Sequence, residues 1–151
     1  MKITPINILL VEDNEGDILL TTDALEESKI LKSLKVIRDG ASAVNYLENI
    51  LETAPFDLPD LILLDINLPK KNGHQVLKEV KSNILFRHIP VIILTTSCSE
   101  TDILKSYQEH ASCYLIKPME VSDFVKLVEK IEEFWLNLVA LPINVLAYEK
   151  R

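Results

Sequence analysis

Two rhythms divide the chain. Five short runs are predominantly apolar: residues 6–11, 34–37, 61–64, 90–94 and 113–116. Runs of this length suit strands buried on both faces of a parallel sheet. Between them apolar residues recur every three or four positions, the spacing of one helix face. A first helix is predicted from near Asp17 to near Lys29, with Ile18, Thr22 and Leu25 on one side. A second follows the Arg38-Asp39-Gly40 turn and carries Ala43, Val44, Leu47, Ile50 and Leu51. A loop over residues 53–59, marked by Pro55 and Pro59, separates it from the third strand. A third helix after Gly73 turns Val76, Leu77 and Val80 inward. A weaker one over residues 100–109 has only Ile103, Leu104 and Tyr107 as its apolar set. The last is the strongest, with Phe124, Leu127, Val128, Ile131, Phe134, Trp135 and Leu138 on one face. Ser122 is a better cap for it than Glu120.

Strand and helix alternate five times. That order predicts an α/β fold: a doubly wound, five-stranded parallel sheet with helices on both faces and right-handed crossovers. One domain is expected over residues 1–138, with a tail from 139 to 151. In such sheets ligands bind beyond the carboxyl ends of the strands.

Composition narrows the class. The 151 residues are 48% hydrophobic, enough for one well-formed core and too many for a disordered chain. The formal net charge of −7, with Lys and Arg scattered, argues against a nucleic-acid surface. No segment approaches the roughly 20 apolar residues of a membrane span, and the first apolar run is too short for a signal peptide. The two cysteines, Cys98 and Cys113, have neither metal nor redox spacing. They read as reduced thiols of a cytoplasmic protein.

The candidate chemistry lies where the strands end. The first ends at Glu12 and Asp13, the third at Asp65, the fourth at Thr95 and the fifth at Lys117. In a parallel sheet these ends share one edge, so five residues remote in sequence would meet in one cleft. Loops are polar in general, and any one of these positions alone says little. Three acids, a hydroxyl and a lysine at successive strand ends say more. Carboxylates that close repel one another unless a cation sits among them. A hard, partly hydrated divalent ion such as Mg²⁺ suits oxygen donors of this kind. Asp65 would then be a nucleophile toward a phosphoryl group, with Lys117 and Thr95 serving its oxygens.

These residues also carry a family likeness. Leu9-Leu10-Val11-Glu12-Asp13-Asn14, Leu64-Asp65-Ile66-Asn67-Leu68-Pro69 with Gly73 downstream, Leu94-Thr95-Thr96-Ser97 and Ile116-Lys117-Pro118 resemble the receiver domain of two-component response regulators. The likeness spans nearly the whole chain, with the motifs in family order. It implies a flavodoxin-like, CheY-like sheet of order 2-1-3-4-5. It implies Asp65 as phosphoacceptor, with Mg²⁺ held by Glu12, Asp13, Asp65 and the backbone carbonyl of Asn67. Thr95 and Tyr114 match the family's switch pair, and the Lys117–Pro118 bond is expected to be cis. The donor would be a sensor histidine kinase. The chain would be no enzyme in the usual sense: it would catalyse its own phosphorylation and lose the group slowly. Thr96 departs from the family, which usually has a small residue there. Asn67 and Ser97 stand where the family tunes hydrolysis. Glu132-Glu133-Phe134-Trp135-Leu136, Leu141-Pro142 and Leu68-Pro69-Lys70-Lys71-Asn72-Gly73 resemble the small regulators paired with bacterial and cyanobacterial phytochromes.

Two other readings compete. One is a phosphatase using Asp65 as nucleophile. Such enzymes usually need a second acid two residues on, where this chain has Asn67. The other is a receiver-like binding module that is never phosphorylated. With no output domain expected, the signal would leave by protein contact. The apolar tail is expected to fold back on its own domain or, with Phe134 and Trp135, to contribute to a homodimer or a kinase contact. His74, His88 and His110 read as surface or loop residues, and Lys70-Lys71 as a solvated turn.

Overall fold

The structure is a computed structural model that describes residues 5–142. The chain runs β1 (Ile6–Val11), α1 (Glu15–Glu26), β2 (Leu31–Ile37), α2 (Gly40–Thr53), β3 (Leu61–Leu64), α3 (Gly73–Ser82), β4 (Val91–Thr95), α4 (Glu100–Gln108), β5 (Cys113–Ile116) and α5 (Val121–Ile131). A 3₁₀ turn, Pro55–Asp57, interrupts the loop before β3, and a π-helical segment, Glu132–Leu138, continues α5. All strand pairs are parallel and the sheet order is β2-β1-β3-β4-β5. This is the doubly wound α/β architecture expected from the alternation.

The period of two along each strand sorts the core into two layers. Leu9, Val11, Ile62, Leu64 and Ile93 face α2 and α3, where they meet Ala43, Leu47, Val76, Leu77 and Val80. Ile8, Leu10, Leu61, Leu63, Ile92 and Leu94 face the other way, toward Leu25, Phe124, Val128 and Ile131 of α1 and α5. Each buried aliphatic side chain of this kind contributes on the order of 1.5–3 kcal/mol.

Polar residues at the helix starts fix the loops that carry the site. The Asn14 side chain accepts from the Asp17 amide at 2.9 Å and starts α1. Asp39 does the same for α2 through Ser42, and Asn72 and Gln75 form a reciprocal capping box on α3. Gly73 is required by crowding: a Cβ there would lie 2.3 Å from the Asp65 carbonyl oxygen. Its amide donates to Ile66 O at 2.8 Å, folding the β3–α3 loop back onto the strand end.

Several local expectations are corrected. β2 begins at Leu31, three residues earlier than residue 34. In α1 Thr21, not Thr22, joins Ile18 and Leu25 in the core, because the helix starts at Glu15 and its inner face follows the 18–21–25 spacing. α4 buries only Ser106, while Leu104 and Tyr107 stand exposed. α5 starts after Glu120, which provides no side-chain cap, and not at Ser122. At its far end the helix widens, and the Val139 amide donates to Phe134 O at 2.8 Å. A five-residue turn carries the buried register from Ile131 to Leu136 and leaves Phe134 and Leu138 exposed. Trp135 packs half-buried against the α1/α5 layer, as does Leu141. The rest of the predicted tail, residues 143–151, lies outside the described residues.

Candidate functional site

Backbone pairing brings the strand ends together. The Asp65 amide donates to Val11 O at 3.0 Å, and the Lys117 amide donates to Thr95 O at 2.7 Å. Glu12, Asp65, Thr95 and Lys117 are all buried at the carboxyl edge, while Asp13 is exposed. The sheet thus gathers the predicted strand-end residues on one edge.

Lys117 is the centre of the arrangement. Its ammonium donates to Glu12 Oε1, to Asp17 Oδ2 at 2.9 Å and to Asp65 Oδ2 at 3.1 Å. An ammonium has three hydrogens, and each has a carboxylate partner. Burial alone would push the lysine pKa down; Glu12, Asp17 and Asp65 outweigh it and hold the ammonium charged. Glu12 shows the opposite balance. Burial first, and the charge of Asp65 with it, push its carboxyl up to about 7 against the pull of Lys117. Its second oxygen accepts from the amides of Asp13 (3.1 Å) and Asn14 (3.2 Å). The second oxygen of Asp65 accepts from the Asn67 amide at 3.2 Å.

Glu12, Asp13 and Asp65 each offer a carboxylate oxygen, all within 4.8 Å of one another. Two of these acids are buried and the third opens to solvent. Hard, clustered oxygen donors with one open side fit a divalent ion of the Mg²⁺ or Mn²⁺ type, which keeps part of its water shell.

A second polar system borders the first. His74 Nε2 bonds to Asp102 Oδ1 at 2.9 Å, and Ser97 Oγ donates to Asp102 Oδ2 at 2.6 Å. The Tyr114 hydroxyl donates to Ser97 O at 2.8 Å, and the Ser97 amide reaches Thr95 Oγ1 at 3.4 Å. α3, α4, the β4–α4 loop and β5 are linked in this way beside the Thr95–Tyr114 pair. Asp102 is held below the usual carboxylate range, by Ser97 first and His74 second. The order serine–aspartate–histidine puts the acid in the middle, so the histidine cannot activate the serine as a nucleophile.

His74 was expected at the surface and is instead buried, with its Nδ1 unpartnered among the described residues. It falls one helical step before Leu77, on the inner face of α3, and that spacing was the missed signal. His88 and His110 are exposed as expected. Asp17 was read only as a helix start. Acids are common in the first turn of a helix, so its position gave no distinct cue. Lys71 is tied to Glu79 at 2.7 Å, while Lys70 stays exposed in a left-handed turn (φ 67°). The expected cis bond is not found: every described peptide is trans, Lys117–Pro118 included. Trans is the lower-energy form by about 0.5–1 kcal/mol even before proline.

A doubly wound sheet with an acid cluster, a buried lysine and a hydroxyl on its carboxyl edge defines a phosphoryl-receiver class of protein. Residues 8–129 match the response regulator receiver domain family, and the chain belongs to that family. It is 46% identical over 135 residues to Response regulator Rcp1 of Synechocystis sp., covering 89% of this chain and 92% of Rcp1. The crystal structure of the Mn²⁺-bound form of Rcp1 superposes with a TM-score of 0.86, covering 91% of this chain and 99% of that one. The phosphorylated cyanobacterial phytochrome response regulator RcpA, 45% identical, superposes with a TM-score of 0.87 over 92% of this chain and 99% of its own. The chain is a response regulator related to Rcp1 and to the phytochrome response regulator RcpA.

Proposed function

We propose that this chain accepts a phosphoryl group on Asp65 from the phosphohistidine of a sensor histidine kinase and signals by protein contact. The observation that carries the reading is the setting of Asp65. It ends a fully buried strand, with one oxygen on Lys117, the other on the Asn67 amide, and Glu12 and Asp13 beside it. An Asp65 oxygen bonds to phosphorus as the phosphorus–nitrogen bond of the donor breaks and its electron pair returns to the imidazole. Glu12, Asp13, Asp65 and the backbone carbonyl of Asn67 would hold Mg²⁺. That ion, when bound, neutralises charge on the phosphoryl oxygens during in-line transfer. Lys117 is already charged and within reach of Asp65, so it meets a phosphoryl oxygen with little rearrangement.

Thr95 and Tyr114 form the switch. A phosphoryl group on Asp65 draws the Thr95 hydroxyl toward it. The β4–α4 loop follows and takes with it the Ser97 carbonyl that holds Tyr114. No separate catalyst is required for phosphorylation or for slow loss of the group. The relation to RcpA supports a phytochrome-linked kinase as donor, and the free thiols of Cys98 and Cys113 support a cytoplasmic setting. The receiver is taken as residues 1–138, and the exposed Phe134 and Leu138 at the end of the last helix are offered as part of a homodimer contact. Asp65→Asn is expected to abolish hydroxylamine-sensitive, Mg²⁺-dependent phosphoryl labelling from the cognate kinase or a small phosphodonor. Undiminished labelling of that variant would remove Asp65 from the role.

A further inference from the structure

Three acceptors share the Lys117 ammonium, and they are not equivalent. Glu12 is fixed by two backbone amides and Asp65 by the Asn67 amide. Both belong to the acid trio that fits a divalent ion. Asp17 belongs to neither group. It lies in the first turn of α1, its side chain 24% exposed, and its carboxylate has Lys117 as its partner among the described residues. The other first-turn acid of α1, Glu15, pairs with Arg38 and is turned away from the lysine. The lysine is therefore pulled in two directions: toward oxygens an ion would use, and toward an acid the ion does not need.

We propose that Asp17 is a positioning residue: it takes one of the three hydrogens of the Lys117 ammonium, which also bonds Glu12 and Asp65, and so limits how far the lysine competes with a divalent ion for the Glu12–Asp13–Asp65 trio. The proposal rests on the receiver reading above and assigns its site a further residue. Two effects of removing the Asp17 charge act in the same direction. The cluster loses one negative charge near the ion. The freed ammonium hydrogen turns toward Glu12 and Asp65, where it competes with the ion for the same oxygens. Charges several ångströms apart at a half-open site interact by about 1–2 kcal/mol, so ion affinity is expected to fall about tenfold.

The test is calorimetric titration of the full chain with Mg²⁺, and separately with Mn²⁺, for wild type, Asp17→Asn and Asp23→Asn. Asp23 is an exposed acid on the same helix, and its loss changes net charge equally. Asp17→Asn is expected to raise the dissociation constant about tenfold, and Asp23→Asn to leave it within about twofold. The Mg²⁺ concentration for half-maximal labelling of Asp65 should rise by the same factor in Asp17→Asn, with labelling at saturating ion retained. Wild-type or tighter ion binding by a folded Asp17→Asn overturns the proposal, as does an equal loss in Asp23→Asn. Asp17→Glu, which keeps the charge, should bind the ion more tightly than Asp17→Asn; the reverse order also overturns it. Labelling that survives Asp65→Asn defeats the phosphoacceptor reading itself. Wild-type ion affinity in Asp17→Asn with labelling still dependent on Asp65 defeats only the role given to Asp17.

Discussion

On one half of the carboxyl edge three carboxylates, Glu12, Asp17 and Asp65, surround a single ammonium, and Asp13 lies beside Glu12 and Asp65. On the other half, His74, Asp102, Ser97 and Tyr114 form a chain of hydrogen bonds that ends on a backbone carbonyl. Both halves are built from polar groups at the ends of buried strands, yet their balance differs. The first carries more negative charge than the protein itself compensates, and burial has lifted one of its acids. The second satisfies its acid so well that Asp102 is pushed the other way. A region left short of positive charge is suited to gain a ligand. A region whose acid is paired on both oxygens within the protein is suited to transmit displacement between α3, α4 and β5.

The contrast is broken most directly at Lys117. Lys117→Met leaves Glu12 and Asp65 buried without their cation, a loss expected to cost about 3 kcal/mol or more in ion-free protein. Urea unfolding in the presence of a chelator measures it. The same measurement in millimolar Mg²⁺ should recover part of the loss, because the ion supplies the missing charge. A loss that is identical with and without the ion would show that the two halves do not differ as described.

The pH dependence of stability should have opposite signs on the two halves. The Glu12 carboxyl is raised from 4.5 to about 7, so between these values the folded state keeps a proton that the unfolded chain has released. Its contribution therefore falls as pH rises through that window, by up to about 3 kcal/mol. Asp102 is depressed, so its contribution is present above the unfolded carboxylate value and is lost as pH falls through the folded one. Ion-free unfolding curves should show stability declining from about pH 5 to about pH 7, and Mg²⁺ should flatten that decline. A rise over the same range in ion-free protein would contradict the account of Glu12.

On the other half, His74→Ala is expected to cost about 2 kcal/mol, from a cavity beside Leu77 and a lost partner for Asp102. Because His74 touches none of the acids around Lys117, the cost should be the same with and without Mg²⁺. Ion affinity by calorimetry should be unchanged. A shift in ion affinity would mean that the two halves are coupled even in the absence of a phosphoryl group.

The first half was far more legible in the sequence than the second. Glu12, Asp13, Asp65, Thr95 and Lys117 each follow an apolar run, and parallel topology alone carries run ends to one edge. The sheet itself could be read for the same reason, since strands buried on both faces leave an unbroken apolar signature. His74, Ser97 and Asp102 lie on a helix, a loop and another helix. Their meeting depends on how α3 and α4 lie on the sheet, which no local pattern states. Asp17 was hidden differently: an acid in a first helical turn is already explained by the helix. The register of the last helix failed beyond Ile131 because a period of 3.6 was carried through a segment with a five-residue turn. As a result Phe134 and Leu138 are exposed and Leu136 is buried, while Trp135 keeps its predicted place against the core.

The mildest probe of the contrast is Tyr114→Phe. It deletes a single hydroxyl, the one that donates to Ser97 O at 2.8 Å. The ring stays half-buried against the α2/α3 layer. The carbonyl it leaves belongs to a loop residue that is only partly buried, so water can replace the lost donor. The stability cost should therefore sit near or below about 1 kcal/mol, the ordinary net value of one hydrogen bond. Mg²⁺ affinity should not change, since the hydroxyl belongs to the half that holds no ion. What should change is the response of this face to phosphorylation. Without the bond, movement of Thr95 and Ser97 no longer carries the ring with it. Hydrogen exchange at the amides of β5 and α4, compared before and after phosphorylation, should differ less in the variant than in wild type. An equal difference in both proteins would show that the loop and the ring move together without this bond.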